Sequence, residues 1–355
     1  MYARVDIELT NRCNAKCTFC PRDQTPHQGL MTPEIFEQSL ARTIEYRTLV
    51  EEILHTELSV ALCGLGEPLL NKHAAAFTRR VKAEGFRCGM SSNAALLDER
   101  RGTELLDAGL DEIFINVGER DERYEEIYQL PFERTRDNVV RFAQQAEGRC
   151  DVWIVLVDYR HQPDHTAEMK RYWQDLGIKY FQEYEIINRG GALFVDHMQF
   201  EQLPELAEAR AILADGGTQP LCGAPFGYLF VGYDGNYYLC CSDWRKEVPL
   251  GSVFERSFSD TVGDKLRHVV SRAPICRTCN LDPINRLTEE LQAIGQGQSG
   301  PAEREALVAE MAEHSTMVIK ALEKLQPGIS SVIPETLATA PPVPEGRTLI
   351  PLTIR

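Results

Sequence analysis

Three cysteines lie within eight residues near the start of the chain, and their spacing is suited to holding a metal centre. Cys13, Cys17 and Cys20 form a Cys-x3-Cys-x2-Cys loop directly after the apolar alternating run at 5–9. A four-iron cube takes four ligands, so three thiolates leave one iron open to another ligand. A zinc ion completed by a distant fourth ligand fits the same triplet. The loop therefore predicts either a cluster with one open iron or a zinc site.

A second set of cysteines lies in the other half of the chain. Cys222 precedes a predicted hairpin, Cys240 and Cys241 end it, and Cys276 and Cys279 follow as a Cys-x2-Cys pair. They offer four or five thiolates for one closed site, where zinc fits as well as iron on spacing alone. Neighbouring side chains on a strand point to opposite faces, so the two adjacent cysteines are not expected to share one iron site.

The elements that position these residues follow a regular alternation. Strand segments are predicted at 4–9, 58–63, 87–91, 112–117, 152–157 and 180–185, with amphipathic helices between them. Helix starts are marked by Thr32 and Asp98, and helix ends by Gly85 and Gly177. This is the pattern of a parallel α/β sheet, in which chemistry is expected at the carboxyl ends of the strands.

Polar residues and glycines do follow the predicted strands. The second strand is followed by Gly64, Gly66, Glu67 and Pro68, the third by Ser92 and Asn93, the fourth by Asn116, and the sixth by Asn188 and Arg189. Glycines allow the backbone to approach a ligand closely, and a carboxylate such as Glu67 can accept a hydrogen bond from an ammonium group. Each cluster alone is typical of an ordinary loop, and their joint placement favours a site.

With the cysteine loop, these residues resemble the radical S-adenosylmethionine (SAM) enzymes over residues 4–190. The resemblance implies an α/β fold, an open, partial (β/α)6 barrel of the TIM type. It implies a 4Fe–4S cluster on the first three cysteines, with SAM chelating the open iron. An electron, supplied by a flavodoxin- or ferredoxin-type donor, then cleaves SAM to a 5′-deoxyadenosyl radical that abstracts hydrogen.

The resemblance also implies roles for single residues in SAM binding. Phe19 stands at the adenine-side position, and the segment 64–68 resembles the family's Gly-Gly-Glu motif, which binds the SAM amino group, although Leu65 separates the glycines. Ser92 and Asn93 resemble Thr-Asn-Gly and are expected at the ribose or carboxylate. Asn116 stands where the family often has serine. The implied cofactor-binding residues are Phe19, Gly64, Gly66, Glu67, Pro68, Ser92, Asn93 and Asn116.

The second cysteine set resembles the twitch module, a short form of the SPASM domain that holds one auxiliary 4Fe–4S cluster. The implied ligands are Cys222, Cys240, Cys276 and Cys279, since the matching family position favours Cys240 over Cys241. Full SPASM domains carry seven cysteines and two clusters, against five cysteines here. The expected organisation is a barrel at 1–190, a linker at 191–218, a twitch domain with a small hairpin at 219–287, and a C-terminal helix with a proline-rich tail at 288–355.

Composition limits the partners. The net charge is −15, with 43% hydrophobic and 26% charged residues, which is typical of a globular protein and argues against nucleic acid. An acidic protein is compatible with a cationic substrate such as an amino sugar.

The first strand begins too early for a signal peptide and no apolar run spans a bilayer, so we expect a cytoplasmic protein without a membrane partner. The single cysteines Cys63, Cys88 and Cys150 are predicted core residues.

The expected function is a radical oxidation, because a cluster ligated entirely by protein suits electron transfer. Twitch enzymes include the aminocyclitol (deoxy-scyllo-inosamine) dehydrogenase of butirosin biosynthesis. We therefore expect a dehydrogenase of a small carbohydrate, aminocyclitol or aminoglycoside intermediate in antibiotic biosynthesis. Glu185, Asn188 and Arg189, at the end of strand six, are the predicted catalytic residues, as substrate contacts or as the base.

Three alternatives stay open. The first is a peptide- or protein-modifying maturase. Two expected features argue against it, namely the lack of an N-terminal recognition extension and a cysteine count below seven. The second is a redox-neutral radical dehydratase or epimerase. The third is a zinc-structured binding module without enzyme activity.

Overall fold

The computed structural model describes residues 3–158, 163–194, 198–215, 219–334 and 350–351. The first half alternates strands and helices as predicted. Its strands are β1 (Ala3–Ile7), β2 (Leu58–Leu62), β3 (Cys88–Ser92), β4 (Glu112–Asn116), β5 (Asp151–Asp158) and β6 (Tyr180–Glu185). Its helices are α1 (Pro33–Leu49), α2 (Ala74–Ala83), α3 (Glu99–Asp107), α4 (Asp121–Tyr128), α5 (Phe132–Gln145) and α6 (Pro163–Asp175).

Local chemistry explains where these helices begin and end. The Thr32 side chain caps α1 by accepting a hydrogen bond from the Ile35 amide at 3.3 Å, and Asp98 caps α3 by accepting from the Arg101 amide at 2.9 Å. Gly85 follows α2 with a φ of +80°, a left-handed conformation that favours glycine. The predicted boundaries therefore agree closely with the observed ones.

The second half is more irregular. It contains β7 (Leu193–Phe194), α7 (Glu205–Asp215), α8 (Ala224–Gly227), β8 (Tyr228–Val231), β9 (Asn236–Tyr238), β10 (Pro249–Ser252), α9 (Phe258–Val270), α10 (Pro274–Arg277), α11 (Pro283–Gly295), α12 (Pro301–Leu325) and β11 (Ile350–Pro351). β11 pairs with β7 in parallel. None of the helices within the described ranges is both long and apolar enough to cross a bilayer.

One nine-stranded sheet joins the two halves. Its order is β10-β9-β8-β1-β2-β3-β4-β5-β6, and the strands from β1 to β6 are parallel neighbours. The sheet is open, since β6 and β10 are its outer strands, which confirms the predicted partial α/β barrel. The β8–β9 hairpin adds to the free side of β1, with Leu229 opposite Val5. The hairpin therefore extends the barrel sheet beside the strand that leads into the cysteine loop.

One predicted segment differs from the structure. The strand expected at 237–241 ends at Tyr238, so Cys240 and Cys241 lie beyond β9 in irregular backbone. The predicted linker contains α7, which packs against α11 and α12 through the buried side chains of Ala209, Leu213, Leu287, Leu291 and Met311. The proline-rich stretch at 341–344 lies outside the described residues.

Candidate active site and auxiliary metal centre

The first cysteine loop is held against the end of α4. The Lys16 and Thr18 amides donate to the carbonyl oxygens of Tyr128 and Ile127 at 3.2 and 2.9 Å. The Phe19 ring packs edge-on against Tyr128, with ring centroids 5.4 Å apart. These contacts fix a loop that has no regular secondary structure of its own and place Phe19 beside the three thiols.

The three thiols lie within electrostatic reach of one another. Burial raises the pKa of the Cys17 thiol, and the sulfurs of Cys20 and Cys13 raise it further. Burial also raises the pKa of Cys20, to about 11. Such grouped, half-buried thiols need a cationic centre to be held as thiolates, and three of them fit a cluster with one open iron.

No three His, Cys, Asp or Glu side chains of the described ranges converge on a point suited to a single metal ion. The thiolates of a cubane cluster each bind a different iron, so its ligands do not have to meet at one point.

Glu67 lies at the centre of a buried hydrogen-bond network at the end of β2. Its amide donates to the Arg12 carbonyl oxygen at 2.8 Å. Its carboxylate accepts from the Leu69 amide, the Ser92 hydroxyl and the Asn93 amide at 3.0, 2.9 and 2.8 Å. Burial nevertheless raises its pKa to about 7, because desolvation outweighs the hydrogen bonds that favour the charged form.

The glycines before Glu67 allow the loop to lie directly on the first strand and the cysteine loop. A Cβ on Gly66 would stand 2.3 Å from the Arg12 carbonyl oxygen, and one on Gly64 would stand 2.6 Å from the Glu8 side chain. Pro68 is buried and begins the short 3-10 turn that follows Glu67. The glycines are therefore required by close packing within the protein.

The ends of β3 and β4 complete this side of the site. The Asn93 side-chain amide donates to Asn14 Oδ1 at 2.9 Å and lies 3.7 Å from the Cys13 sulfur. The Asn116 amide donates to the Ser91 hydroxyl at 3.3 Å. The structure thus joins the ends of β2 and β3 to the cysteine loop, while Asn116 lies one strand further along the sheet.

The four predicted auxiliary ligands also come together. Burial raises the pKa of the Cys240 thiol, and the thiols of Cys241, Cys276, Cys279 and Cys222 raise it further. The Cys279 amide donates to the Cys276 carbonyl oxygen at 3.2 Å, which curls the Cys-x2-Cys segment into a turn. Cys279 is buried and the other three cysteines are half-buried, and four such thiols in mutual range fit a second, closed thiolate site.

Cys241 faces other groups than its neighbour does. After burial, the charges that act on its thiol come from Asp6, Arg189 and Arg4. It packs with Cys20 against one small apolar cluster, formed by Leu65, Ala192, Phe230, Tyr238 and Trp244. The charges on the Cys240 thiol thus come from other thiols and those on Cys241 from Asp6 and two arginines, while the Cys241 sulfur also acts on the thiols of Cys222 and Cys279.

The segment after β6 connects the barrel to the auxiliary thiols. Asn188 is 1% exposed, and its side-chain amide donates to the Thr278 carbonyl oxygen at 2.6 Å. Its Oδ1 accepts from the amides of Asn280 and Gly191 at 3.2 and 3.3 Å. Through these hydrogen bonds the Asn188 side chain holds the Cys276–Cys279 turn in place. Asn188 therefore positions the auxiliary cysteines.

The other two predicted catalytic residues are Arg189 and Glu185, and the structure describes the side chain of Arg189 only. The Arg189 guanidinium lies 5.6 Å from the centre of the Trp244 ring, and its charge acts on Cys20 and Cys241. The Trp244 indole N–H is buried without a hydrogen-bond partner in the described part of the chain. Glu185 is the last residue of β6, and its side chain lies outside the described residues.

Sequence reasoning missed a buried ion pair between the two halves. Glu8 is 0% exposed and accepts from Lys246 Nζ at 2.9 Å. It also accepts from the amides of Leu65 and Tyr233 at 2.9 and 3.1 Å. The alternation of apolar and acidic residues at 5–9 could have indicated this pair. A strand of a parallel sheet is covered on both faces, so its acidic residues need buried partners.

Two family models match this chain. The radical SAM superfamily matches residues 7–172, which include the first cysteine loop, Glu67 and Asn93. The iron–sulfur cluster-binding domain named SPASM matches residues 222–280, which include all four auxiliary thiols. The chain contains a radical SAM domain and a SPASM domain. Its cofactors are accordingly SAM and 4Fe–4S clusters.

Curated relatives share only part of this chain. The tungsten-containing aldehyde ferredoxin oxidoreductase cofactor-modifying protein of Pyrococcus furiosus is 27% identical over 112 residues, which are 31% of this chain and 29% of the relative. The Fe-coproporphyrin III synthase of Methanosarcina barkeri is 26% identical over 31% of this chain and 25% of its own length. The chain thus spans less than a third of either relative.

Solved structures share the fold over a greater length. Native anSMEcpe with bound AdoMet and Cp18Cys peptide covers 83% of this chain and 98% of its own, at 14% identity and a TM-score of 0.55. Streptococcus suis SuiB bound to precursor peptide SuiA covers 82% and 73%, at 13% identity and a TM-score of 0.55. BtrN in complex with AdoMet and 2-DOIA covers 79% and 93%, at 15% identity and a TM-score of 0.48.

Proposed function

We propose that this radical SAM enzyme oxidises a carbinol carbon of a small polar substrate, of the carbohydrate, aminocyclitol or aminoglycoside class. The observation that carries the proposal is the group of four thiols at Cys222, Cys240, Cys276 and Cys279, beside the segment that follows β6. When bound, the two clusters supply one-electron chemistry: the first gives the electron that cleaves SAM, and the second accepts the electron that the substrate loses.

Glu67 is proposed to hold the amino group of SAM. A carboxylate offers about four acceptor positions, and the protein occupies three of those of Glu67. One position is left for the ligand. A cationic or metal-polarised amino group at that position also lowers the pKa of Glu67 from its raised value, so binding and ionisation support each other.

The substrate is proposed to lie near Arg189 and Trp244. Both side chains are hydrogen-bond donors, and the indole N–H has no partner within the described residues. Two donors side by side favour substrate oxygens, such as the hydroxyl groups of a cyclitol. Glu185, at the end of β6, is the proposed base for the hydroxyl proton, whereas Asn188 positions the auxiliary turn.

The proposed domain organisation keeps a barrel at 1–190 and an auxiliary domain at 219–287. The pairing of β8 with β1 supports a fixed relation between them, since the auxiliary hairpin and the first strand share backbone hydrogen bonds. The proposal also includes a flavodoxin- or ferredoxin-type protein as the donor of the electron that cleaves SAM.

The test is the double substitution Cys276→Ala and Cys279→Ala, assayed anaerobically with a panel of aminocyclitols. We expect 5′-deoxyadenosine to form while the oxidised product falls at least tenfold. Cys150→Ala is the matched control, because this cysteine lies at the start of β5 and takes no part in either set. Circular dichroism checks that the double variant is folded.

Full product from a folded double variant without auxiliary iron would overturn the oxidation proposal and favour a redox-neutral dehydration or epimerisation. SAM cleavage stimulated by peptides and by none of the polyols would favour a maturase instead.

A further inference from the structure

A buried lysine on α9 contacts the segment that follows Cys222, and no carboxylate among the described residues pairs with it. Lys265 is 1% exposed, and its ammonium donates a hydrogen bond to the Pro225 carbonyl oxygen at 2.8 Å. Pro225 follows Cys222 by three residues. A neutral carbonyl compensates little of the free energy lost when an ammonium leaves water, which amounts to several kcal/mol for a buried ion.

The surroundings of this ammonium are otherwise apolar. Lys265 lines a small cavity together with Phe226, Leu229, Val262 and Tyr46. Among the described residues, the titratable group whose charge acts on Lys265 is Cys240. The lysine therefore has its anionic counterpart on the metal-binding side, in the thiolates of the auxiliary site.

We propose that Lys265 is the counter-charge of the auxiliary cluster and raises its reduction potential. The inference rests on the cluster proposed at Cys222, Cys240, Cys276 and Cys279. A cube with four thiolates is anionic, and reduction adds one more negative charge. Burial lowers the pKa of Lys265 to about 7, and negative charge on the thiolates opposes that shift. The protonated lysine stabilises the reduced form more than the oxidised form, and net charge is one of the factors that set cluster potentials. Lys265 is thus a positioning residue that favours electron acceptance.

The test is Lys265→Met in the fully loaded enzyme, since methionine keeps the length of the side chain and removes the charge. The auxiliary midpoint potential is measured by redox titration monitored by electron paramagnetic resonance. We expect the equilibrium constant for reduction to fall at least tenfold, which is about 59 mV for one electron. Lys320→Met, which removes an exposed charge from α12, is the matched control and should leave the potential unchanged.

An unchanged potential in a loaded Lys265→Met enzyme would overturn the inference. Should this variant lose auxiliary iron, Lys265→Arg decides: restored iron with the wild-type potential supports a role of the charge. Loss of iron in both variants, or restored iron with a potential at least about 59 mV below that of the wild type, would show that the lysine acts by shape and overturn the inference as well. A wild-type enzyme without auxiliary iron would instead refute the cluster proposal itself, so the two failures are distinguishable.

Discussion

The Glu67 carboxylate accepts three hydrogen bonds from the protein and, as proposed, one from SAM. The sequence motif predicted only the contact with the ligand. The structure adds that Glu67 also holds the ends of β2 and β3 together, so its removal has two effects that need separate measurements.

We expect Glu67→Ala to weaken SAM binding about tenfold to a hundredfold, because a charge-assisted hydrogen bond contributes about 1.5–3 kcal/mol. The variant should also lose about 1–3 kcal/mol of stability for each buried donor left unpaired. Calorimetric titration with SAM and urea unfolding measure the two effects, and the iron content should stay constant.

Asp243→Ala is the control for the Glu67 prediction. Asp243 is buried and accepts from the amides of Glu247 and Val248, so its loss should destabilise the protein without changing SAM affinity. Wild-type SAM affinity in a folded Glu67→Ala enzyme would contradict the assignment of the motif.

At the scale of elements, the contact between β1 and the β8–β9 hairpin decides how the two halves meet. The Glu8–Lys246 pair crosses this contact, and the Lys246 ammonium also lies 4.4 Å from the centre of the Tyr238 ring. Because both charges are buried, each one depends on the other.

We expect Lys246→Met to lower the free energy of unfolding by about 3–5 kcal/mol, since it leaves the Glu8 carboxylate buried without a cation. The double variant Glu8→Gln, Lys246→Met should recover a large part of that loss. Urea unfolding of the two single variants and the double variant gives the coupling energy. Additivity within about 0.5 kcal/mol would mean that the pair does not act as a unit.

The elements also show what could be predicted from the sequence. The strands and helices of the first half have local signals, such as Thr32, Asp98 and Gly85, and their positions were predicted closely. The pairing of β8 with β1 has no local signal in the sequence, because it depends on which sheet edge is free once the chain has folded. The same holds for Glu8 and Lys246, whose partnership joins residues far apart in the sequence.

The candidate site divides in the same way. The grouping of each cysteine set followed from spacing, and in the structure the thiols of each set act on one another electrostatically. That these thiols bind clusters stays a prediction. The preference for Cys240 came from the family resemblance. Strand alternation predicted only that Cys240 and Cys241 do not share one iron site, yet β9 ends at Tyr238. The two thiols still differ in their electrostatic surroundings, since other thiols act on Cys240 whereas Asp6, Arg189 and Arg4 act on Cys241.

At the scale of the molecule, two thiol sites lie on one sheet. The first follows β1, and the second is tied to β1 through the hairpin and to the end of β6 through Asn188. Cys241 and Cys20 pack against the same apolar cluster between them. This arrangement suits a reaction in which hydrogen abstraction and electron removal take place in neighbouring parts of one enzyme.

The assignment of the SAM-cleaving centre to Cys13, Cys17 and Cys20 is the central claim, and one measurement tests it most directly. 5′-Deoxyadenosine formation under dithionite is compared between the wild type and the variant with all three cysteines changed to alanine. The wild type should carry about eight irons, two cubes of four, and form the product. The variant should keep about four irons and form none. Reductive SAM cleavage by the folded triple variant would contradict the account.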